Sequence, residues 1–279
     1  MEFGASIFFT DYSITPAELA VALEERGFDS VWAAEHSHIP VPRRTRADQE
    51  LGKRYYDVMD PFVTLTAAAC ATKRLKVATG IALVIQRDTI QTAKLVASID
   101  QVSGGRFLLG IGGGWNQEEI ENHGTVFVTR MQKMREQIEA MKAIWTESKP
   151  EYHGDIVNFD TMMTWPKPVQ KPHPPVILGG AFPWAARRAV RYGDGWYPNA
   201  ASGDPEQYVP AFRKMAQEAG RDPTSLSLRL GGAPDDPDKL KRFRDMGIDA
   251  VNVTLMSETR DQLLPLLDHW AGHIRQLRG

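Results

Sequence analysis

Two stretches hold the residues best able to do chemistry. SVWAAEH (30–36) ends in an acid and an imidazole, Glu35 and His36. Histidine titrates near neutral pH (unperturbed pKa about 6.5), so His36 suits proton transfer. On a regular strand its neighbour Glu35 points to the opposite side. The second stretch, RFLLGIGGGWNQEEI (106–120), sets four glycines and Trp115 behind four apolar residues. A Rossmann loop would need G-x-G-x-x-G and an acid about 20 residues on. Gly110 and Gly112 fit, but the third glycine position holds Trp115, and the helical stretch TRMQKMREQIEAMKAIW follows. No Lys-Ser or Lys-Thr completes a Walker loop. The glycines need another explanation.

Other chemistries are poorly supplied. EHSH (35–38) contains His-x-His, but a catalytic metal needs further histidines and an aspartate from later strands. His123, His153 and His173 fall in loops and His269 and His273 in the final helix, so no metal is expected. Lys plus Arg total 33 against 35 Asp plus Glu, which gives no reason to expect nucleic acid or a membrane surface as partner. The single cysteine, Cys70, sits in alanine-rich TLTAAACATK; it has no internal disulfide partner and reads as an inert core residue. MEFGASIFF lacks a basic n-region and a cleavage site, and no apolar run nears the roughly 18 residues of a membrane span, so the cytoplasm is the default compartment.

Eight short, β-rich runs must position these residues: 3–9, 30–36, 75–83, 107–113, 175–180, 194–198, 226–232 and 250–255. Most are continuously apolar, as parallel strands buried on both faces are. Helices fill the gaps. Thr15-Pro16-Ala17-Glu18 is a capping box, Asp60-Pro61, Asp204-Pro205 and Asp236-Pro237 repeat an acid-then-proline start, and Asp88 to Gln91 is a weaker box. Gly27, Gly193, Gly220 and Gly247 mark ends. Eight strand–helix units in about 250 residues match a (β/α)8 TIM barrel, an α/β fold, predicted as one domain over 1–279. An open doubly wound sheet is the alternative. Two insertions break the rhythm: 37–58 after strand 2, a lid candidate, and 147–174 before strand 5, where YHGDIVNF reads as a small hairpin.

In such a barrel the site forms at strand C-termini. These positions are Glu35, His36, Gly80–Leu83, Gly112–Asn116, Gly179–Ala181, Trp196–Asn199 and Gly231. A mouth of glycine and apolar surface, with one acid–imidazole pair, suits a flat cofactor carrying its own reactivity. PVILGGA (175–181) precedes the helix PWAARRAVRYG, and its exposed amides form a phosphate seat or a plain tight turn. Arg43, Arg44, Arg46, Lys53 and Arg54 of loop 37–58 are either a solvated surface or an arm for an anionic ligand tail.

SVWAAEHSHIP, VATGIALVIQRD, LVASIDQVSGGRFLLGIGGGWNQEE, PPVILGGA and GDGWYP together resemble the bacterial luciferase-like monooxygenase family. They are most similar to its coenzyme F420-dependent oxidoreductases. The resemblance covers about 200 residues and implies a (β/α)8 barrel, a homodimer, and a ring system at the C-terminal mouth. By position, His36 matches the family's histidine beside the redox centre, and Glu35 its acidic neighbour. Gly80–Ile81 match a non-prolyl cis peptide behind the ring. Gly179, Gly180 and Ala181 match the phosphate turn. Gly112, Trp115 and Asn116 match the end of strand 4, where small residues let the ring lie close and Trp115 and Asn116 line its edge. Where the family's glucose-6-phosphate dehydrogenases have a tryptophan and a glutamate, this chain has Pro40 and Trp115, which disfavours that substrate. Trp32, Trp115, Trp196 and Tyr197 are candidate walls, the alternative for Trp32 being the barrel interior.

The resemblance thus implies an F420-dependent oxidoreductase moving a hydride between the deazaflavin and a small organic substrate, with His36 catalytic. The alternatives are an FMN-dependent monooxygenase and a non-catalytic barrel that binds the deazaflavin.

Overall fold

The strands are short because each only has to cross the barrel wall. In the computed structural model, which describes residues 1–278 apart from Pro42 and Ala47, they are β1 (Glu2–Ile7), β2 (Ser30–Ala33), β3 (Lys76–Thr79), β4 (Phe107–Ile111), β5 (Tyr152–His153), β6 (Asn158–Phe159), β7 (Val176–Gly179), β8 (Gly195–Tyr197), β9 (Ser227–Gly231) and β10 (Ala250–Thr254). All but β5 and β6 close into one parallel barrel in the order β1-β10-β9-β8-β7-β4-β3-β2. The eight expected strands are these eight, trimmed at their ends. β5 and β6 are the expected hairpin, paired antiparallel with Tyr152 opposite Phe159. The TIM-barrel expectation holds.

Helices α1 (Pro16–Glu25), α2 (Pro61–Ala71), α3 (Thr89–Ser103), α4 (Gln117–Asn122), α5 (Arg130–Thr146), α6 (Trp184–Tyr192), α7 (Pro205–Glu218), α8 (Pro237–Asp245) and α9 (Arg260–Arg278) surround the barrel. The starts follow the local chemistry. Thr15 and Glu18 form both halves of their capping box, and Asp60, Asp88, Asp204 and Asp236 each accept from amides of the first turn. Such caps contribute about 0.5–2 kcal/mol each. Gly27, Gly220 and Gly247 are left-handed at helix ends, whereas Gly193 is extended (φ −98°) and needs no glycine on that account.

Two cores result. A large one fills the space between strands and helices. A small one, Trp32, Ala78, Leu108 and Ile177 with Tyr197 above it, plugs the barrel interior. Trp32 therefore belongs to the plug and is no wall of the mouth; its indole Nε1 donates to Ser30 Oγ at 2.9 Å.

Cys70 corrects one expectation. It lies on the outward face of α2 and is exposed, because the neighbouring Ala68 and Ala69 take the inward positions. A thiol reagent should count one cysteine in the native protein, at the same stoichiometry as in denaturant; a native count of zero contradicts this placement. Among the described residues no helix is long and apolar enough to cross a membrane.

Candidate active site

The C-terminal mouth holds a cavity of about 460 Å³. Its floor is the segment after β3, where the Gly80–Ile81 peptide is cis, as expected. The Ile81 side chain stands between two bare backbones. A Cβ on Gly112 would come within 2.7 Å of Ile81 Cδ1, and one on Gly179 within 2.8 Å of Ile81 Cγ2. The next glycines do the same for other side chains: a Cβ on Gly113 would overlap Met131, and Gly114, left-handed at φ 63°, abuts Ile120. The glycine run is thus explained. It clears room for Ile81, Met131 and Ile120 while its own backbone still lines the cavity. A flat apolar floor with few polar groups fits a planar ring system.

His36 follows β2. Its Nδ1 lies 2.7 Å from Oε2 of Glu119, and Glu119 Oε1 accepts the Ser37 amide at 3.0 Å. Glu119 is fully buried and His36 nearly so, at 8% side-chain exposure. A carboxylate can only accept, so Nδ1 carries the proton and Nε2 is the ring nitrogen free for other work. Glu119 comes from α4, a six-residue helix whose N-cap is Asn116. Sequence reading missed both this helix and Glu119. The available signal was an asparagine three residues before a glutamate and an apolar residue.

The structure separates the expected site residues into two sets. Gly80, Ile81, Gly112, Trp115, Gly179, Gly180 and Tyr197 line the cavity. His36 adjoins the cavity, its ring beside Phe8 and Trp115 of the lining and beside Tyr55, at ring separations of 6.4, 5.7 and 5.4 Å. Three others, Glu35, Asn116 and Trp196, are corrected. Glu35 faces away, accepting from the Leu83 amide (2.6 Å) and Arg87 Nε (2.7 Å), because the strand alternates. Burial pushes its carboxyl up against the pull of Arg87. Asn116 is buried as the α4 cap and does not edge the cavity. Ala181 follows Gly180 at the exposed end of the same turn. Trp196 packs outward against Tyr208 and Phe212, since Tyr197 takes the inward position on β8. Its Nε1 donates to the Gly180 carbonyl at 2.9 Å, so it braces the Gly179–Gly180 turn from behind.

Loop 37–58 reaches the mouth at Arg54, which lines the cavity. On α4, Glu118 accepts the amides of Arg44 (2.9 Å) and Thr45 (3.2 Å) and the Thr45 hydroxyl (2.7 Å). These bonds hold its carboxyl down to about 2, so the tether persists well below the ordinary carboxylate range and is lost only as pH falls toward that value. Most of the loop's cations are engaged. Arg43 binds backbone carbonyls, Arg44 pairs with Glu118, Arg46 lies over Trp115 at 4.8 Å, and Lys53 pairs with Asp57. Of the five, Arg54 lines the cavity.

Barrel, cis floor and histidine at the end of β2 define a site of one class, and comparison with known proteins gives the class its family. A family model described as luciferase-like monooxygenase matches residues 15–234, and the chain belongs to that family. An uncharacterized protein of Mycobacterium tuberculosis is 36% identical over 98% of this chain and 99% of its own length. An F420-dependent hydroxymycolic acid dehydrogenase of the same organism is 28% identical over 80% of this chain and 58% of its own length. Among solved structures, the monooxygenase RslO1 from Streptomyces bottropensis superposes with a TM-score of 0.82 at 20% identity, covering all of both chains, which shows the shared fold.

Proposed function

We propose that this protein is a coenzyme F420-dependent oxidoreductase acting on a small organic substrate, with His36 as proton donor or acceptor. The observation that carries the reading is His36, fixed through Nδ1 on buried Glu119 beside an apolar cavity walled by glycine backbone. When bound, a deazaflavin supplies a ring carbon that gives or takes a hydride. This chain's residues do the rest. Ile81, flanked by Gly112 and Gly179, presents the flat surface. The turn Gly179–Ala181, in which the Gly180 amide donates to the Tyr197 carbonyl at 3.3 Å, would seat a phosphate before α6. Trp115 closes one edge and keeps water out. His36 holds or releases the substrate's proton at Nε2, a role that requires the tautomer Glu119 imposes.

The relative named as F420-dependent supports the coenzyme choice. The family description and the superposed monooxygenase favour a flavin-dependent monooxygenase as the second reading. Fluorescence titrations with both coenzymes separate the two. The deazaflavin is expected to bind more tightly than FMN by about tenfold or more, a difference of roughly 1.4 kcal/mol. A clear preference for FMN transfers the protein to the second reading, and tight deazaflavin binding with no turnover on any acceptor makes it a binding protein.

A further inference from the structure

A second concave surface opens beside the mouth. It is a groove of about 420 Å³ lined by Arg135 of α5 and by Arg187, Arg188 and Arg191 of α6, with Trp184 at one side. Arg188 and Met131 border both groove and cavity, so the two are continuous. The chain's net charge is −2, yet carboxylates are scarce here. Among the described residues Arg135 alone of the four has one within 4 Å, Glu136 at 3.7 Å and Glu139 at 3.8 Å. Arg187 lies over the Trp184 ring at 5.1 Å, and the buried Nε atoms of Arg188 and Arg135 have no hydrogen-bond partner among the described residues. Buried donors left unmade are costly, and like charges three and four residues apart on one helix repel. Arg188 is also pushed down by burial, and its charge adds to the burial that pushes down Arg130, which donates to the Gly113 carbonyl at 3.0 Å. An anion in the groove would relieve each of these costs at once. A guanidinium cluster matches carboxylates and phosphates in geometry as well as charge.

We propose that this groove binds a multivalent, carboxylate-rich anionic tail that leaves the mouth cavity past the Gly179–Gly180 turn. That the tail is the deazaflavin's rests on the function proposed above; the anion site rests on the arginines. FMN, ending in one phosphate, stops at the glycine turn. The groove therefore selects the long-tailed coenzyme, a task for which loop 37–58 offers the cavity only Arg54.

The test titrates the full-length protein and an R187E/R191E double variant with three probes: intact coenzyme F420, the deazaflavin nucleoside without its tail, and free γ-linked triglutamate. Both substituted residues are exposed on α6, thermal melting checks the fold, and R187Q/R191Q serves if charge reversal unfolds the chain. Intact coenzyme should weaken by about tenfold or more, with a flatter salt dependence, while the nucleoside changes by less than about twofold, being remote from both residues. Unchanged affinity for the intact coenzyme, or equal weakening of the nucleoside, overturns the proposal. If neither deazaflavin binds the unaltered protein, the proposed function fails and triglutamate decides the groove. Binding lost in the variant then upholds the anion site, and no binding to the unaltered protein ends it.

Discussion

His36→Ala is expected to cut turnover by about 10²–10⁴-fold, the usual effect of losing an acid–base group, with coenzyme affinity held within several-fold. Affinity should survive because the cavity is lined by Ile81 and glycine backbone, whereas His36 is held at its edge by Glu119. Glu119→Gln sharpens the test. The carboxylate accepts twice, from His36 Nδ1 and from the Ser37 amide, and an amide side chain can only satisfy one of these. Either the Ser37 amide faces a donor or the imidazole is pushed toward the wrong tautomer, so kcat should fall by about 10–10². Collapse of coenzyme binding in His36→Ala would make the residue structural, and unchanged turnover would end its catalytic role.

The second large effect concerns the barrel wall. A Cβ on Gly110 would overlap the Thr79 carbonyl oxygen and reach 3.0 Å from the Trp32 ring. Both neighbours are fixed, one in the adjoining strand and one in the interior plug. Gly110→Ala should cost about 1–3 kcal/mol through overpacking. Gly272→Ala is its counterpart. Gly272 lies inside α9 with nothing within 4 Å of a new Cβ, so alanine should add about 0.5–1 kcal/mol by helix propensity. At roughly 2–4 °C per kcal/mol, opposite shifts in Tm are readable by calorimetry. Shifts of the same sign would refute the packing argument.

The barrel was legible because buried parallel strands leave an unbroken apolar record and because Asp-Pro starts announce helices. What escaped notice depended on which way a side chain points. Trp196 and Tyr197 are adjacent aromatics, and a one-residue choice of register decides which enters the barrel. Cys70 among alanines gives no clue to its outward face. Glu119 was hidden for another reason. Its partner His36 lies 83 residues away, and Glu119 itself sits in a polar stretch, QEEIEN, too short for periodicity to register. The arginines of α6 are plain in RRAVR; that no carboxylate answers them is a fact of three dimensions. His36 and the Gly179–Gly180 turn could be placed at the mouth from the sequence alone, because strand C-termini all open there in this fold.

The interior plug has a kinetic consequence. With Trp32, Ala78, Leu108 and Ile177 filling the barrel beneath Ile81, no passage through the barrel's far end is open to the cavity among the described residues. Any molecule resting on the Ile81 floor is roofed by whatever follows it through the mouth. Two ligands stacked there must arrive in sequence, floor first, and depart in reverse. Product inhibition with a small-molecule acceptor should therefore follow the pattern of an ordered mechanism, the lower ligand being trapped whenever the upper one is in place.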